Sequence, residues 1–335
     1  MGTHTSKAQV PALRVVHRPL LLMSDIDDTM VGHELDYDKH TAAFSAFWQM
    51  HQHPLDCRLA YNTGRSLEQF HRIWREKGHL MPVPDHLVCG VGTRIYSRRA
   101  GAEGWVEDAA WTRSLDGNGW DVAVLLEVIA ELTACVGASC LCMHEADENS
   151  EHKQTFSVAH GVADAVLESL KQKLADRGMA YRYVFNHGRE GGKYHVIDVL
   201  PEAAGKGNAA LYLRQSLGLD PSALVVVGDG ANDIDMLKAS TQSIVVSNAG
   251  RQLRQWAVGA LAEQQQQQHA HTDTHATNGF NPHTSQPPDP TQHAGSTPGG
   301  AAPVGQRIVM ATQPAAAGIL QGLQMLGMVA AHPSA

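Results

Sequence analysis

The residues best suited to chemistry in this chain are carboxylates that come directly after apolar runs. Ser24-Asp25-Ile26-Asp27-Asp28-Thr29 follows Leu20-Leu21-Leu22-Met23 without a spacer, which places its acids at the carboxyl end of a short strand. Alternate residues of an extended chain leave on the same side, so Asp25 and Asp27 share a face and can share one metal ion. A carboxylate attacks phosphorus competently, forming an aspartyl-phosphate, once a metal and nearby cations offset the repulsion between two anions. The second carboxylate is then available to manage protons. Taken alone, the same residues fit a polar turn that merely closes a strand.

Three further segments fit the same chemistry. Val227-Gly228-Asp229-Gly230-Ala231-Asn232-Asp233 follows the apolar run at 224–227 and adds two carboxylates at a second strand end. Hard oxygen ligands with few competing His or Cys point to Mg2+, bound by Asp229 directly and by Asp233 directly or through water. A calcium loop of the EF-hand kind is excluded, because the later ligands and the glutamate at its twelfth position are missing. Tyr61-Asn62-Thr63-Gly64-Arg65-Ser66 opens a helix with a hydroxyl, a glycine and free amides, which together make an anion cradle. Thr63 would donate to a phosphate oxygen, Gly64 would let the backbone come close, and Arg65 would fix the loop or reach the substrate. Gly205-Lys206-Gly207 offers a lysine to developing negative charge. Singly, these read as a helix cap and a solvated turn; together, four signals at strand and loop ends describe one phosphoryl-transfer site.

The elements that would position these residues alternate. Apolar strand-type runs at 20–24, 58–62, 87–88, 224–227 and 243–246 are separated by helical patterns at 38–51, 66–76 and 207–217. Strands without polar interruption alternating with helices imply an α/β fold with a parallel sheet covered on both faces. Residues 113–201 read differently, with helices at 121–135 and 164–177 and strands at 155–158, 181–185 and 195–199, as an inserted α+β cap. The stripe Leu125, Val128, Leu132 and Cys135 has helical spacing and is read as core packing. Ligands of open parallel sheets bind beyond the carboxyl ends of the strands, so such a cap would roof the site. The core is thus expected at 18–112 and 202–330, after a flexible start at 1–17. A Gln-, His- and Pro-rich stretch at 264–306 has almost nothing apolar to bury and reads as a disordered insert. Beyond it, 307–312 reads as a strand and 315–328 as a helix that returns to the core.

Composition narrows the classes. At 335 residues and 43% hydrophobic content, the chain can bury one large core or two modest ones. A formal net charge of -8 leaves no cationic excess for nucleic acid or an anionic membrane surface. Five cysteines without zinc-type spacing read as reduced thiols in a cytoplasmic protein. Lys7, Arg14 and Arg18 among Ser and Thr carry a faint suggestion of a plastid-type leader. No apolar run approaches a membrane span.

The four segments resemble the motifs of the haloacid dehalogenase superfamily: Asp25-x-Asp27, Thr63, Lys206 and Gly228-Asp229-x-x-x-Asp233. A cap between the second and third motifs is similar to the type-II, Cof-like branch, and implies a Rossmann-like core with a C2-type cap. Within it the chain most resembles sucrose-phosphate phosphatases, in Tyr61-Asn-Thr-Gly-Arg-Ser66, Val91-Gly-Thr-Arg-Ile-Tyr96, Asp198-Val-Leu-Pro201, Val246-Ser-Asn-Ala249 and His152-Lys153-x-Thr155-Phe156. The resemblance implies Asp25 as nucleophile and Asp27 as general acid/base. It implies Mg2+ held by Asp25, the Asp27 backbone carbonyl, Asp229 and Asp233. Phosphate contacts would come from Thr63, Gly64, Arg65, Lys206 and Asn232, with Lys153 reaching the sugar from the cap. The implied protein is a monomeric sugar-phosphate phosphatase, acting on sucrose 6-phosphate and associating with a sucrose-synthesising enzyme. The alternatives are another Cof-like phosphatase, for trehalose phosphate or mannosyl-phosphoglycerate, a non-catalytic homologue that binds sugar phosphates, and a phosphomutase. His144, His152 and His195 in the cap are read as ordinary structural histidines.

Overall fold

Leu21, Leu22 and Met23 are each fully buried, although consecutive side chains of a strand point to opposite faces. Such a strand needs cover on both sides, and the chain supplies it. The computed structural model describes residues 14–15, 20–32, 34–52, 57–98, 104–117, 119–186, 192–277 and 306–330. Its first part comprises β1 (Arg14–Val15), β2 (Leu21–Ser24), α1 (Leu35–Gln52), β3 (Arg58–Asn62), α2 (Leu67–Lys77), β4 (His86–Cys89), β5 (Arg94–Arg98), β6 (Trp105–Glu107) and α3 (Ala109–Ser114). A second unit follows with α4 (Val122–Val136), β7 (Leu141–Met143), β8 (Gln154–Ala159), α5 (Ala163–Asp176), β9 (Tyr181–Asn186) and β10 (Tyr194–Pro201). The chain then returns through α6 (Lys206–Ser216), β11 (Leu224–Gly228), α7 (Ile234–Ala239), β12 (Gln242–Val245), α8 (Arg251–Thr277), β13 (Arg307–Met310), α9 (Ala315–Met325) and β14 (Val329–Ala330).

The main sheet has eight strands in the order β13-β12-β11-β2-β3-β4-β5-β6. All neighbours from β13 to β4 are parallel, and β5 and β6 add an antiparallel edge. Side chains sort by parity. Leu20, Leu22, Val225 and Val227 pack with Phe44 and Trp48 of α1, Phe70 of α2 and Ile319 of α9. Leu21, Met23 and Val226 pack on the other face with Leu213 of α6, Met236 of α7 and Leu253 of α8. Each such buried side chain contributes roughly 1.5–3 kcal/mol, so slipping β2 by one residue would exchange both cores at once. Because β2 sits between β3 and β11, the chain leaves it in one direction and later returns on the other side. The crevice at its carboxyl end is therefore the switch point where such sheets bind ligands.

The second unit is a four-stranded antiparallel sheet, β7-β8-β10-β9, with α4 and α5 on one face. Leu125, Val128 and Leu132 of α4 are buried against Phe156, Val158, Leu170 and Ile197, as their helical spacing requires. Cys135, the fourth member of that stripe, is exposed, so the core ends one turn earlier than the spacing suggests. All five cysteines are free.

Two expectations change. Helix α8 runs on to Thr277, so the glutamines at 264–268 continue a helix begun in well-packed sequence instead of opening a disordered insert. Glutamine is a good helix former and costs little in that position; residues 278–305 lie outside the described ones. At the start of the chain, Arg14 and Val15 pair antiparallel with Ala330 and Val329, within the stretch expected to be flexible. Among the described residues no helix is long and apolar enough to cross a membrane.

Candidate active site

Three strand ends converge on the crevice. Asp25 is the first residue beyond β2, and its amide donates to Val227 O at 3.0 Å, extending the pairing of β2 with β11 by one step. Thr63 follows β3, with its amide on Val88 O at 2.9 Å, and Asp229 follows β11. The Asp25–Asp28 turn is tied down by Asn248, whose Nδ2 donates to Asp28 O at 2.6 Å while its Oδ1 accepts from Ala315 N at 2.8 Å. This tie accounts for the Ser-Asn-Ala segment after β12.

The centre of the site is a cluster of like charges with too few cations. One carboxylate oxygen from each of Asp25, Asp229 and Asp233 lies within 4.8 Å of the others. Lys206, the first residue of α6 and fully buried, reaches Asp233 Oδ1 at 2.7 Å and Asp25 Oδ1 at 3.1 Å. Burial and the charge of Asp233 push the Asp25 carboxyl up to about 7, although Lys206 pulls it down. Burial, Asp233 and Asp25 push Asp229 further, to about 9, against the stabilising hydrogen bond from Thr29 Oγ1 at 2.6 Å. Burial alone would lower the Lys206 ammonium, but Asp233 and Asp25 outweigh it and raise it. Asp233 also closes its own loop, with Oδ2 accepting from the amides of Asp229 at 3.1 Å and Gly230 at 2.9 Å. Three carboxylates face one ammonium, and their donor set of hard oxygens fits a divalent cation.

Asp27 is held differently. Arg65 grips it as a fork, with Nε to Oδ2 at 2.8 Å and Nη2 to Oδ1 at 2.7 Å. Arg65 belongs to the cradle loop, whose geometry is set by Ser66: that residue caps α2 and forms a capping box with Gln69. Thr63 Oγ1 accepts from Arg65 N at 3.2 Å, and Gly64 sits where an added Cβ would make only ordinary contact with Val91. Asp25, Asp27, Gly64, Arg65, Asp229 and Asn232 line one side of a cavity of about 370 Å³. Glu148, Lys153, Thr155, Val196 and Asp198 of the second unit line the other.

Comparison with known proteins places this arrangement. Residues 18–279 match the family model described as sucrose-6F-phosphate phosphohydrolase. The chain belongs to that family. A probable sucrose-phosphatase from Arabidopsis thaliana is 32% identical over 71% of this chain and 52% of its own length. Mannosylfructose-phosphate phosphatase from Agrobacterium fabrum is 31% identical over 69% of this chain and 85% of its own length. The solved sucrose-phosphatase from Synechocystis, in complex with sucrose and phosphate, shares the fold with a TM-score of 0.66 at 23% identity, covering 93% of this chain and 99% of its own. The chain spans about half the length of the plant sucrose-phosphatases it matches.

Within this sucrose-6F-phosphate phosphohydrolase family member, Asp25, Asp27, Gly64, Arg65, Asn232, Asp229 and Lys153 of the expected site residues border the cavity, whereas Thr63, Lys206 and Asp233 do not. Those three are buried behind it, at 1%, 0% and 0% exposure. Lys153 reaches it from the start of β8, with Nζ donating to Glu148 O at 2.9 Å and lying 3.4 Å from Asp198 Oδ1. The histidines His144, His152 and His195 do not line it. His152 bridges Arg94 and Asp116, His144 bonds Glu148 and Ser157, and the His195 ring packs at a tilt against His160 and Phe185. Sequence reasoning passed over Gln69, Glu148, Thr155 and Asp198 as site residues. A signal for two of them was present: Thr155 is two residues beyond Lys153 on an alternating strand, and Asp198 is its cross-strand partner, accepting from Thr155 Oγ1 at 2.7 Å.

Proposed function

We propose that this chain is a magnesium-dependent phosphomonoester hydrolase that releases phosphate from a sugar phosphate, with sucrose 6-phosphate as the preferred substrate. The observation that carries it is Asp25 at the switch point of the sheet, crowded by Asp229 and Asp233 and paired with one buried lysine. Membership of a family named for this hydrolysis supports it. Asp25 Oδ1 is fixed by the Ile26 amide at 2.7 Å and by Lys206, which leaves Oδ2 as the oxygen that attacks phosphorus. As the new bond forms, the bond from phosphorus to the sugar oxygen breaks, and Asp27 protonates that oxygen. Asp27 then takes a proton from the water that displaces Asp25 from phosphorus. Its fork with Arg65 fixes where that side chain stands. Lys206 and Thr63 balance charge on the phosphoryl oxygens. Asp25, Asp229, Asp233 and the Asp27 carbonyl would hold the magnesium ion, whose positive charge offsets repulsion between Asp25 and the phosphoryl group when it is bound.

The sugar would lie against Lys153, Thr155, Asp198 and Glu148. A second reading, mannosylfructose phosphate, is favoured by the bacterial relative whose length this chain largely spans. Magnesium-dependent phosphate release from sucrose 6-phosphate, mannosylfructose phosphate, trehalose 6-phosphate, glucose 6-phosphate and fructose 6-phosphate separates the readings. Equal rates on all five would remove the disaccharide claim, and no release from any would remove hydrolysis itself.

A further inference from the structure

Behind the site lies a turn made entirely of left-handed residues. Gly90, Val91 and Gly92 have φ of 59°, 58° and 87° in succession. Glycine adopts such angles freely, but a β-branched residue there is an outlier, because its Cβ crowds the backbone. Val91 is also 2% exposed, so the strain is held in place by packing among Ala60, Val88, Ile95 and Ala204.

The turn abuts three segments of the site: the cradle loop, the start of α6 and Lys153. Gly90 N donates to Arg65 O at 2.8 Å and Val91 N to Thr63 O at 3.1 Å, so the cradle loop hangs on two amides of the turn. A Cβ at Gly92 would lie 2.3 Å from Gly205 O and 2.9 Å from Lys206 N, which means the turn abuts the start of α6 with no room to spare. A Cβ at Gly90 would lie 3.7 Å from Lys153 Cδ in the cap. Trp111 Nε1 locks the far side through Gly92 O at 3.2 Å.

We infer that Val91 is a positioning residue, and that its strained turn sets the spacing between the two halves of the phosphate site, Thr63 with Arg65 on one side and Lys206 on the other. One direct link between the two halves is Asn62, whose Nδ2 donates to Lys206 O at 3.0 Å. The turn is the second strut. Val91 has no contact with the reacting atoms; it holds the amides that orient Thr63 and Arg65 and, through Gly92, the wall against which Lys206 starts its helix.

This rests on the hydrolase reading above, and its test separates the two. Val91→Gly and Val91→Ala both lose the packed methyl groups and differ by one Cβ, which in a left-handed residue penalises alanine. The glycine variant should therefore unfold at higher urea than the alanine variant, yet turn over more slowly, with kcat lowered about tenfold or more against wild type and weakened inhibition by inorganic phosphate. Ile308→Ala, in the same core cluster but on the distant edge strand, should lose stability with kcat within twofold. If kcat simply follows stability across the three variants, or if Val91→Gly keeps wild-type kcat and phosphate inhibition, the positioning role is wrong. A wild-type protein that releases no phosphate would instead remove the hydrolase reading, and competition by inorganic phosphate against a fluorescent phosphate analogue would still test the turn.

Discussion

Replacing the proposed nucleophile should make the metal-free protein more stable, not less. Asp25 is 6% exposed and its carboxyl is raised from the ordinary 3.8 to about 7 by burial and by Asp233, net of Lys206. At pH 8 the folded chain carries that charge at a cost of roughly 4 kcal/mol. Asn retains an oxygen for the Ile26 amide and removes the charge, while Lys206 keeps Asp233 at 2.7 Å. Allowing for the lost contact with Lys206, Asp25→Asn should gain about 2–4 kcal/mol in EDTA at pH 8, or roughly 4–16 °C at ~2–4 °C per kcal/mol. The sign follows from proton uptake. Between 3.8 and 7 the unfolded chain has released a proton that the folded chain keeps, so this residue lowers stability as pH rises through that window, with no further change above it. The advantage of the variant should therefore shrink in urea titrations at pH 5. Adding magnesium should raise the wild-type midpoint steeply and the variant's far less, because the ion binds the folded state and meets one carboxylate fewer. Phosphatase activity should be lost throughout. An Asp25→Asn protein no more stable than wild type in EDTA at pH 8 would refute the picture of an overcrowded anionic pocket.

Lys206→Met should do the opposite. It leaves Asp25 and Asp233 buried without their cation, which costs about 3–5 kcal/mol by urea unfolding and about 10²–10³-fold in kcat. Asp27→Asn should lower kcat by about 10²–10⁴-fold, read in steady-state phosphate release. Its stability should stay within about 1 kcal/mol, because its fork with Arg65 is part-exposed. His86 is held below the ordinary 6.5 by burial, so the folded chain stays neutral there where the unfolded chain takes up a proton. The His86 contribution to stability should drop as pH falls below 6.5, so His86→Gln should gain on wild type between pH 7.5 and 5.5 in urea midpoints.

Much of this site is legible in the sequence because the chemistry clings to strand ends. A run such as Leu224-Val-Val-Val227 can only be a strand buried on both faces, and the residue after it must emerge at an edge of the sheet. Asp25, Thr63 and Asp229 are found by that rule alone. What escaped is set by contacts across segments. Nothing local in Arg65 says that it will grip Asp27, 38 residues away, instead of meeting the substrate. Nor does Gly90-Val91-Gly92 announce three left-handed residues, since valine argues against that conformation and only packing overrules it. The helix through the glutamines was missed for the opposite reason: low complexity suggested disorder, whereas helix propensity and a well-anchored beginning prevail.

The placement of β2 also governs when this protein can come into being. Its partner β11 is paired Leu21 to Leu224, so 203 residues separate the two halves of the central ladder. On a ribosome adding about 5–20 residues per second, the bare edge of β2 waits roughly 10–40 s for its neighbour. The α4–β10 unit, built from nearby pieces, can condense meanwhile. The Asp25 loop thus stays incomplete until β11 emerges, and until then the nascent protein carries an open sheet that invites the wrong partner.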